Sequence, residues 1–324
     1  MLTPMLVALL SSWTVRPGDE VVVEAARDPQ PAGPYVLVLG TAQDGGLPQI
    51  GCWNDCCRPA REDPSRRRLV TSLLLSDPQQ GQRWLFDCTP DLREQVERAH
   101  GHPTGRHPPG ARPPLFEGVF LTHAHMGHYT GLMFLGPEAY GAMGLPLYGT
   151  KRMHEFLASN GPWDLLVKRS MLRLERIEPG RPQVLSEQLS VETILVPHRD
   201  EYSDTCAFLL KGPQRSLLYL PDIDKWSRWD QRIEDWIGRV DYALLDGAFY
   251  ADGEIPGRSM KDIPHPFIQE SMERFASLPA RERSKVYFTH LNHTNPAVHP
   301  DSEAARAVAA TSMHILQEKA VFEL

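Results

Sequence analysis

Beyond its opening dozen residues the chain has no apolar run near the roughly 20 residues that a membrane-spanning helix needs, so no such span is expected. A basic excess is also missing. The 34 Lys and Arg against 41 Asp and Glu leave a formal net charge of -7. That balance offers nucleic acid no broad footprint, and the basic run at 65–68 is only local. Cysteine is scarce and uneven: of five, Cys52, Cys56 and Cys57 crowd into six positions while Cys88 and Cys206 stand alone. This is not the spread, even pattern of a disulfide framework, so the cluster is read as metal-binding and the two lone thiols as core filling. No short-period repeat is visible either.

What is present is enough apolar residue, 41% of 324, to bury a sizeable core, and one catalytic domain is expected. The opening MLTPMLVALLSS has the length of a signal-peptide core, but no Lys or Arg precedes it and Arg16 follows it. Two readings stay open, a surface-packed segment or a leader. A cytoplasmic protein is favoured, an exported one if the segment is a leader. The Pro-rich DPQPAGP separates this leader or extension, residues 1–33, from a domain over 34–324.

Inside the domain, YVLVLG reads as a buried strand, and VFLTH, PLYGT, VETILVPH, SLLYLPD, YALLDG and KVYFTH repeat one theme, an apolar strand ending in a polar residue. SLLLSD and RWLFDC read as a hairpin across DPQQGQ, and helical stretches such as RMHEFLASN, HPFIQESMERFASL and DSEAARAVAATSM intervene, giving an α/β class. His100, His102 and His107 fall at a Pro- and Gly-rich loop and are read as solvated.

The chemistry concentrates in 123-HAHMGH-128. Three histidines directly after a strand have metal-ligand spacing, and core packing gives no reason to cluster them. His198 after LVP, Asp222 after YLP and His290 after VYFT supply three further donors from three separate strand ends. Neutral imidazole suits zinc, iron or manganese-like ions.

This order of donors resembles the metallo-β-lactamase superfamily, whose signature is H-x-H-x-D-H followed by a distant His, an Asp and a last His. The resemblance implies an αββα four-layer sandwich of two mixed sheets flanked by helices. It assigns His123, His125 and His198 to one ion and His128, Asp222 and His290 to a second, with Asp222 bridging. Gly127 stands where the signature has its Asp, which leaves open one ion or two; with one, His128 handles protons or supports a ligand. A narrower resemblance, to the pyrroloquinoline quinone biosynthesis protein B group and its phosphodiesterase neighbours, runs through LGTAQDGGLPQ, the cysteine cluster, TPDLREQ, GHYTGL, LLDGAFY, IPHP, THLNHTNP and PDSE. The chain keeps more of the histidine motif than that group generally does, so it is read as a paralogue.

The same relatives imply a structural zinc on Cys52, Cys56 and Cys57 completed by His293, with buried or redox-active thiols as the alternative. They also make His265, in IPHP, a candidate general acid, against a loop histidine that caps the next helix; Asp246, in LLDG, is read as either orienting a ligand histidine or taking part in the chemistry. The function expected is a zinc-dependent hydrolase of a small-molecule or peptide substrate, with a phosphodiester or ester as the bond cleaved and with Asp222 and His265 catalytic. An iron-dependent oxygenase and a non-catalytic metal-binding protein are the alternatives.

Overall fold

The computed structural model describes residues 31–100, 115–255, 257, 259–260 and 263–324. The leader or extension through residue 30, and the loop histidines His102 and His107, lie outside the described residues.

The described chain forms fourteen strands. In the first half run β1 (Tyr35–Gly40), β2 (Ser72–Asp77), β3 (Gln82–Phe86), β4 (Gly118–Phe120), β5 (Leu145–Gly149) and β6 (Leu172–Arg176). The second half holds β7 (Gln183–Val184), β8 (Ser190–Val196), β9 (Thr205–Lys211), β10 (Ser216–Leu220), β11 (Tyr242–Asp246), β12 (Val286–Thr289), β13 (His314–Ile315) and β14 (Val321–Glu323). Two seven-stranded sheets result, in the orders β14-β1-β2-β3-β4-β5-β6 and β13-β12-β11-β10-β9-β8-β7. The anticipated hairpin is present, with Leu73 opposite Phe86 and Asp77 opposite Gln82.

Both sheets are buried on both faces, which is why their strands read as near-continuous apolar runs. Successive side chains of a strand point to opposite sides. Thus Tyr35, Leu37 and Leu39 enter an outer layer with Leu132, Met153, Leu157 and Leu166, while Val36 and Val38 join a central layer. That central layer is where the sheets meet: Phe86 and Phe120 of the first sheet stack at 4.8 Å, and Phe208 of the second packs edge-on to both. A third layer packs the far face of the second sheet against Ile233, Trp236 and Ile237 of helix Ile233–Arg239, Ile268 and Phe275 of helix Ile268–Phe275, and Val308 of helix Glu303–Ala310. The result is the αββα sandwich. Cys88 and Cys206 are fully enclosed in it, as core fillers.

Strand direction explains where the donors go. β3, β4 and β5 are mutually parallel, and β1 runs the same way because it is antiparallel to β2, which is antiparallel to β3. In the second sheet β10, β11 and β12 are parallel, and β8 shares their direction through two antiparallel pairings by way of β9. The C-terminal ends of β1, β3 and β4, and of β8, β10, β11 and β12, therefore lie on one rim of each sheet. The polar residues that close these strands converge there.

Candidate metal centre

Asp222, in the turn after β10, is the hub. Its Oδ2 lies 3.3 Å from His123 Nε2, 3.7 Å from His128 Nε2 and 3.8 Å from His290 Nε2; its Oδ1 lies 3.2 Å from His198 Nε2 and 3.3 Å from His265 Nδ1. The donor atoms of His123, His125, His198 and Asp222 lie within 4.8 Å of one another, as do those of Asp44, His128 and His290, and those of Asp222, His265 and His290. Every active-site donor expected from the sequence is brought into this one cluster.

These contacts are not ordinary ion pairs. Burial, and then the neighbouring imidazoles of His128 and His125, hold His123 well below its usual value, and burial with His265 and His125 pushes His198 down to about 2. His290 is lowered by the same causes. Burial also raises the Asp222 carboxyl well above the carboxylate range. The pocket thus gathers imidazoles held neutral at His123, His198 and His290 around the buried carboxyl group of Asp222. Several of the polar atoms are buried without a hydrogen-bond partner: both ring nitrogens of His198, Asp222 Oδ1, Asp44 Oδ1 and His290 Nδ1. Buried polar groups are ordinarily satisfied, and an unpaired one costs about 1–3 kcal/mol. Metal binding would satisfy His198 Nε2 and the Asp222 and Asp44 oxygens, so the residues fit a metal of the zinc, iron or manganese kind.

Outer hydrogen bonds aim the imidazoles. Asp87, closing β3, accepts from the Thr122 backbone N–H at 2.8 Å, the Thr122 hydroxyl at 2.8 Å, His128 Nδ1 at 2.8 Å and the Tyr219 hydroxyl at 3.2 Å. Because the Thr122 hydroxyl donates to Asp87, its oxygen accepts from His123 Nδ1 at 3.0 Å. Both histidines therefore carry their proton on Nδ1 and turn a bare Nε2 toward Asp222. Burial alone would lower His128, but Asp87 outweighs it and raises its value. His125 Nε2 meets Glu201 at 3.0 Å, leaving Nδ1 facing His123.

Two of these residues carry backbone strain. His290 sits at φ +60° and Asp87 at φ +63°, left-handed conformations that a non-glycine residue adopts at a cost of roughly 1–2 kcal/mol. Such strain clusters at functional sites.

His265 does not cap the following helix, whose N-cap is Phe267. Its buried ring donates from Nδ1 to Asp246 Oδ2 at 2.8 Å. Asp246 also accepts from the backbone N–H groups of Ile223 at 3.1 Å and Ala248 at 2.9 Å, so it braces both the turn that carries Asp222 and the ring of His265. Burial works to depress His265, but the carboxylates of Asp246 and Asp222 overcome it and push it up to about 9.

Sequence reasoning did not place Asp44, Asp87, Thr122 or Glu201 in the site. Asp87 obeys the same strand-end rule as the ligands, in WLFD, and could have been found by it. Arg199 lies 3.8 Å from Glu201, Asp200 accepts from Thr205 at 2.8 Å, and Tyr202 is exposed.

A second cluster stands apart from the first. Cys56 Sγ is 3.6 Å from Cys52 Sγ and 3.6 Å from His293 Nδ1, and Cys57 Sγ is 3.4 Å from the same nitrogen. Tetrahedral zinc with Zn–S near 2.3 Å and Zn–N near 2.0 Å separates sulfurs by about 3.8 Å and sulfur from nitrogen by about 3.6 Å, so the spacing fits that ion. Burial and then the neighbouring thiols push Cys56 up to about 12, and burial raises Cys57. At Cys52 burial works the same way, but the Asn54 backbone N–H and the Cys57 and Cys56 thiols prevail and lower it. Without a cation, three ionised thiols could not share this space.

The model of the Beta-lactamase superfamily domain matches residues 82–291. The chain is 27% identical over 307 residues to coenzyme PQQ synthesis protein B of Methylobacterium nodulans, covering 86% of this chain and 96% of that protein. It is 28% identical over 287 residues to the protein of the same name from Ruegeria pomeroyi, covering 81% and 90%. Among solved structures, Zn(2+)-bound PqqB from Methylobacterium extorquens superposes with TM-score 0.75 at 22% identity, over 90% of this chain and all of that one. A diphosphatase from the PhnP family does so with TM-score 0.63 at 22% identity, over 90% and 97%. Both likenesses establish the fold.

Proposed function

Because the chain belongs to the beta-lactamase superfamily domain family, we propose that it is a metal-dependent hydrolase acting on a phosphodiester or ester bond. The observation that carries this reading is Asp222, whose two oxygens face separate sets of imidazole nitrogens with no other buried partner for Oδ1. A divalent ion bound there would polarise the scissile group and bring the pKa of its water toward 7. His123, His125, His198, His128, His290 and Asp222 would hold it; zinc is the ion expected, and iron or manganese also suits the donors.

The chain's own residues do the rest. Thr122 and Asp87 hold His123 and His128 in the tautomer that leaves Nε2 free to bind. Asp246 fixes His265 through Nδ1, so Nε2 is the nitrogen left to hand a proton to the departing oxygen. Asp222 orients the attacking water. Cys52, Cys56, Cys57 and His293 form a closed site whose part is structural.

On this reading Asp246→Asn keeps the shape but gives His265 a weaker acceptor. It should lower kcat about 10–100-fold with KM nearly unchanged, a split measurable by steady-state kinetics.

The test of the reading is turnover of bis(p-nitrophenyl) phosphate and p-nitrophenyl esters by protein purified without chelator, in air and under argon. Hydrolysis that needs His123 and is indifferent to oxygen is expected. Turnover that consumes dioxygen on iron would move the chain to the oxygenases, and metal binding with no turnover on either substrate class would leave a binding protein.

A further inference from the structure

Gly127 removes the signature's carboxylate, yet the space beside it is filled by another. A Cβ placed on Gly127 would meet Asp44 Oδ1 at 2.1 Å, Asp44 Cα at 2.7 Å and Asp44 Cγ at 2.9 Å, closer than real Cβ contacts come. The Asp44 side chain therefore lies against the bare Cα of residue 127, in volume that any side chain there would claim. Its Oδ1 is buried and unpartnered, 3.7 Å from His128 Nε2, which is itself 3.3 Å from His290 Nε2. Ligands about 2.0–2.1 Å from one ion lie about 3.0–3.5 Å apart. The Asp44–His128 and His128–His290 pairs thus come within a few tenths of an ångström of that spacing, and all three donors lie within 4.8 Å of one another.

The position of Asp44 is held firmly. The preceding Gln43 donates from its backbone N–H to Leu291 O at 2.9 Å, its side chain accepts from Asn292, and Leu291 N–H donates back to Thr41 O at 2.9 Å. Ala42 bridges Val70 on one side and Leu291 on the other. The loop after β1 is in this way tied to the segment that follows His290, so one set of pairings holds both Asp44 and His290.

We propose that Asp44 ligates a second active-site ion together with His128 and His290, replacing from a different strand end the carboxylate absent at 127. The centre then holds two divalent ions, with Asp44 and Asp222 as their carboxylates, and glycine at 127 is required because Asp44 needs the room. This inference rests on the metal-centre reading above, and goes beyond it in ion count and in the residue that sets it.

The experiment counts ions and asks whether they touch. Wild type, Asp44→Asn, Gly127→Ala and His123→Ala are stripped, reloaded with manganese alone, and examined by elemental analysis and electron paramagnetic resonance, with circular dichroism to confirm the fold. Asp44→Asn is nearly isosteric, so it reports on ligation with the fold kept. Two His123-dependent ions with an exchange-coupled spectrum are expected in wild type. In Asp44→Asn the second ion should bind at least about 10–100-fold more weakly and the coupling should vanish, and Gly127→Ala should behave alike by displacing the carboxylate. Two coupled ions surviving in Asp44→Asn, or a single His123-dependent ion in wild type, overturns the proposal while leaving the hydrolase reading intact. Absence of any His123-dependent ion in wild type would defeat that reading itself.

Discussion

His123→Ala is expected to abolish hydrolysis, by at least about 10³-fold in kcat/KM, and to empty the active site of metal while the melting temperature changes by only a few degrees. His123 is fully buried, its Nε2 is 3.3 Å from Asp222, and its Nδ1 is committed to Thr122. Removing it deletes a ligand and leaves the Asp222 carboxylate with one neutral partner fewer. Loss of an outer partner of a metal ligand costs about 10–100-fold, and loss of the ligand should cost more. The fold should survive, because the layers that hold the sheets together do not depend on this rim. Metal content by elemental analysis and kcat/KM on bis(p-nitrophenyl) phosphate measure the two halves of the expectation. Wild-type metal content and turnover in the variant would remove His123 from the site.

The opposite pattern is expected for Cys57→Ala: one zinc lost per chain, a melting temperature lower by about 10 °C or more, and activity that falls only as far as the protein unfolds. Cys57, enclosed and 3.4 Å from His293, sits just before the helix Arg58–Glu62, whereas His293 follows β12 and its His290 by three residues. A metal here crosslinks the loop after β1 to the last ligand-bearing strand. Structural zinc contributes binding energy directly to folding, about 10–16 kcal/mol in small peptides, against a total domain stability of about 5–15 kcal/mol. Losing one ligand therefore weakens a contribution as large as the margin itself. Thermal denaturation with and without chelator is the measurement. A chelator that lowers the melting temperature of wild type, but not of Cys57→Ala, would assign the effect to this cluster; an unchanged Cys57→Ala melt with full zinc would reject the site.

Much of this was open to a reader of the sequence. An apolar run marked β1, and apolar runs closed by a polar residue marked β4, β5, β8, β10, β11 and β12, because burial on both faces writes itself into consecutive residues. The half-exposed strand β6, with its alternating charges, the short edge strands β7, β13 and β14, and the interior β9 went unassigned. The ligand types were legible for the same local reason: histidine and aspartate at strand ends have little packing purpose.

Asp44 was not legible. In QDGG it looks like a turn residue, and nothing nearby says that its carboxylate will meet Gly127 and His128 from another segment. Nor could the sequence separate the two readings of His265, because its partner Asp246 closes β11, 19 positions earlier in the chain.

Residue identity and local period, then, determined the α/β class, the strand-end donors and the cysteine cluster, since each depends on neighbours a few positions away. Which donors share an atom's reach, which carboxylate stands in for the missing one, and which nitrogen of each imidazole is free were decided only when parallel strands brought distant segments to one rim. Those properties are distances between segments far apart in the chain, and only the pairing of the sheets sets them.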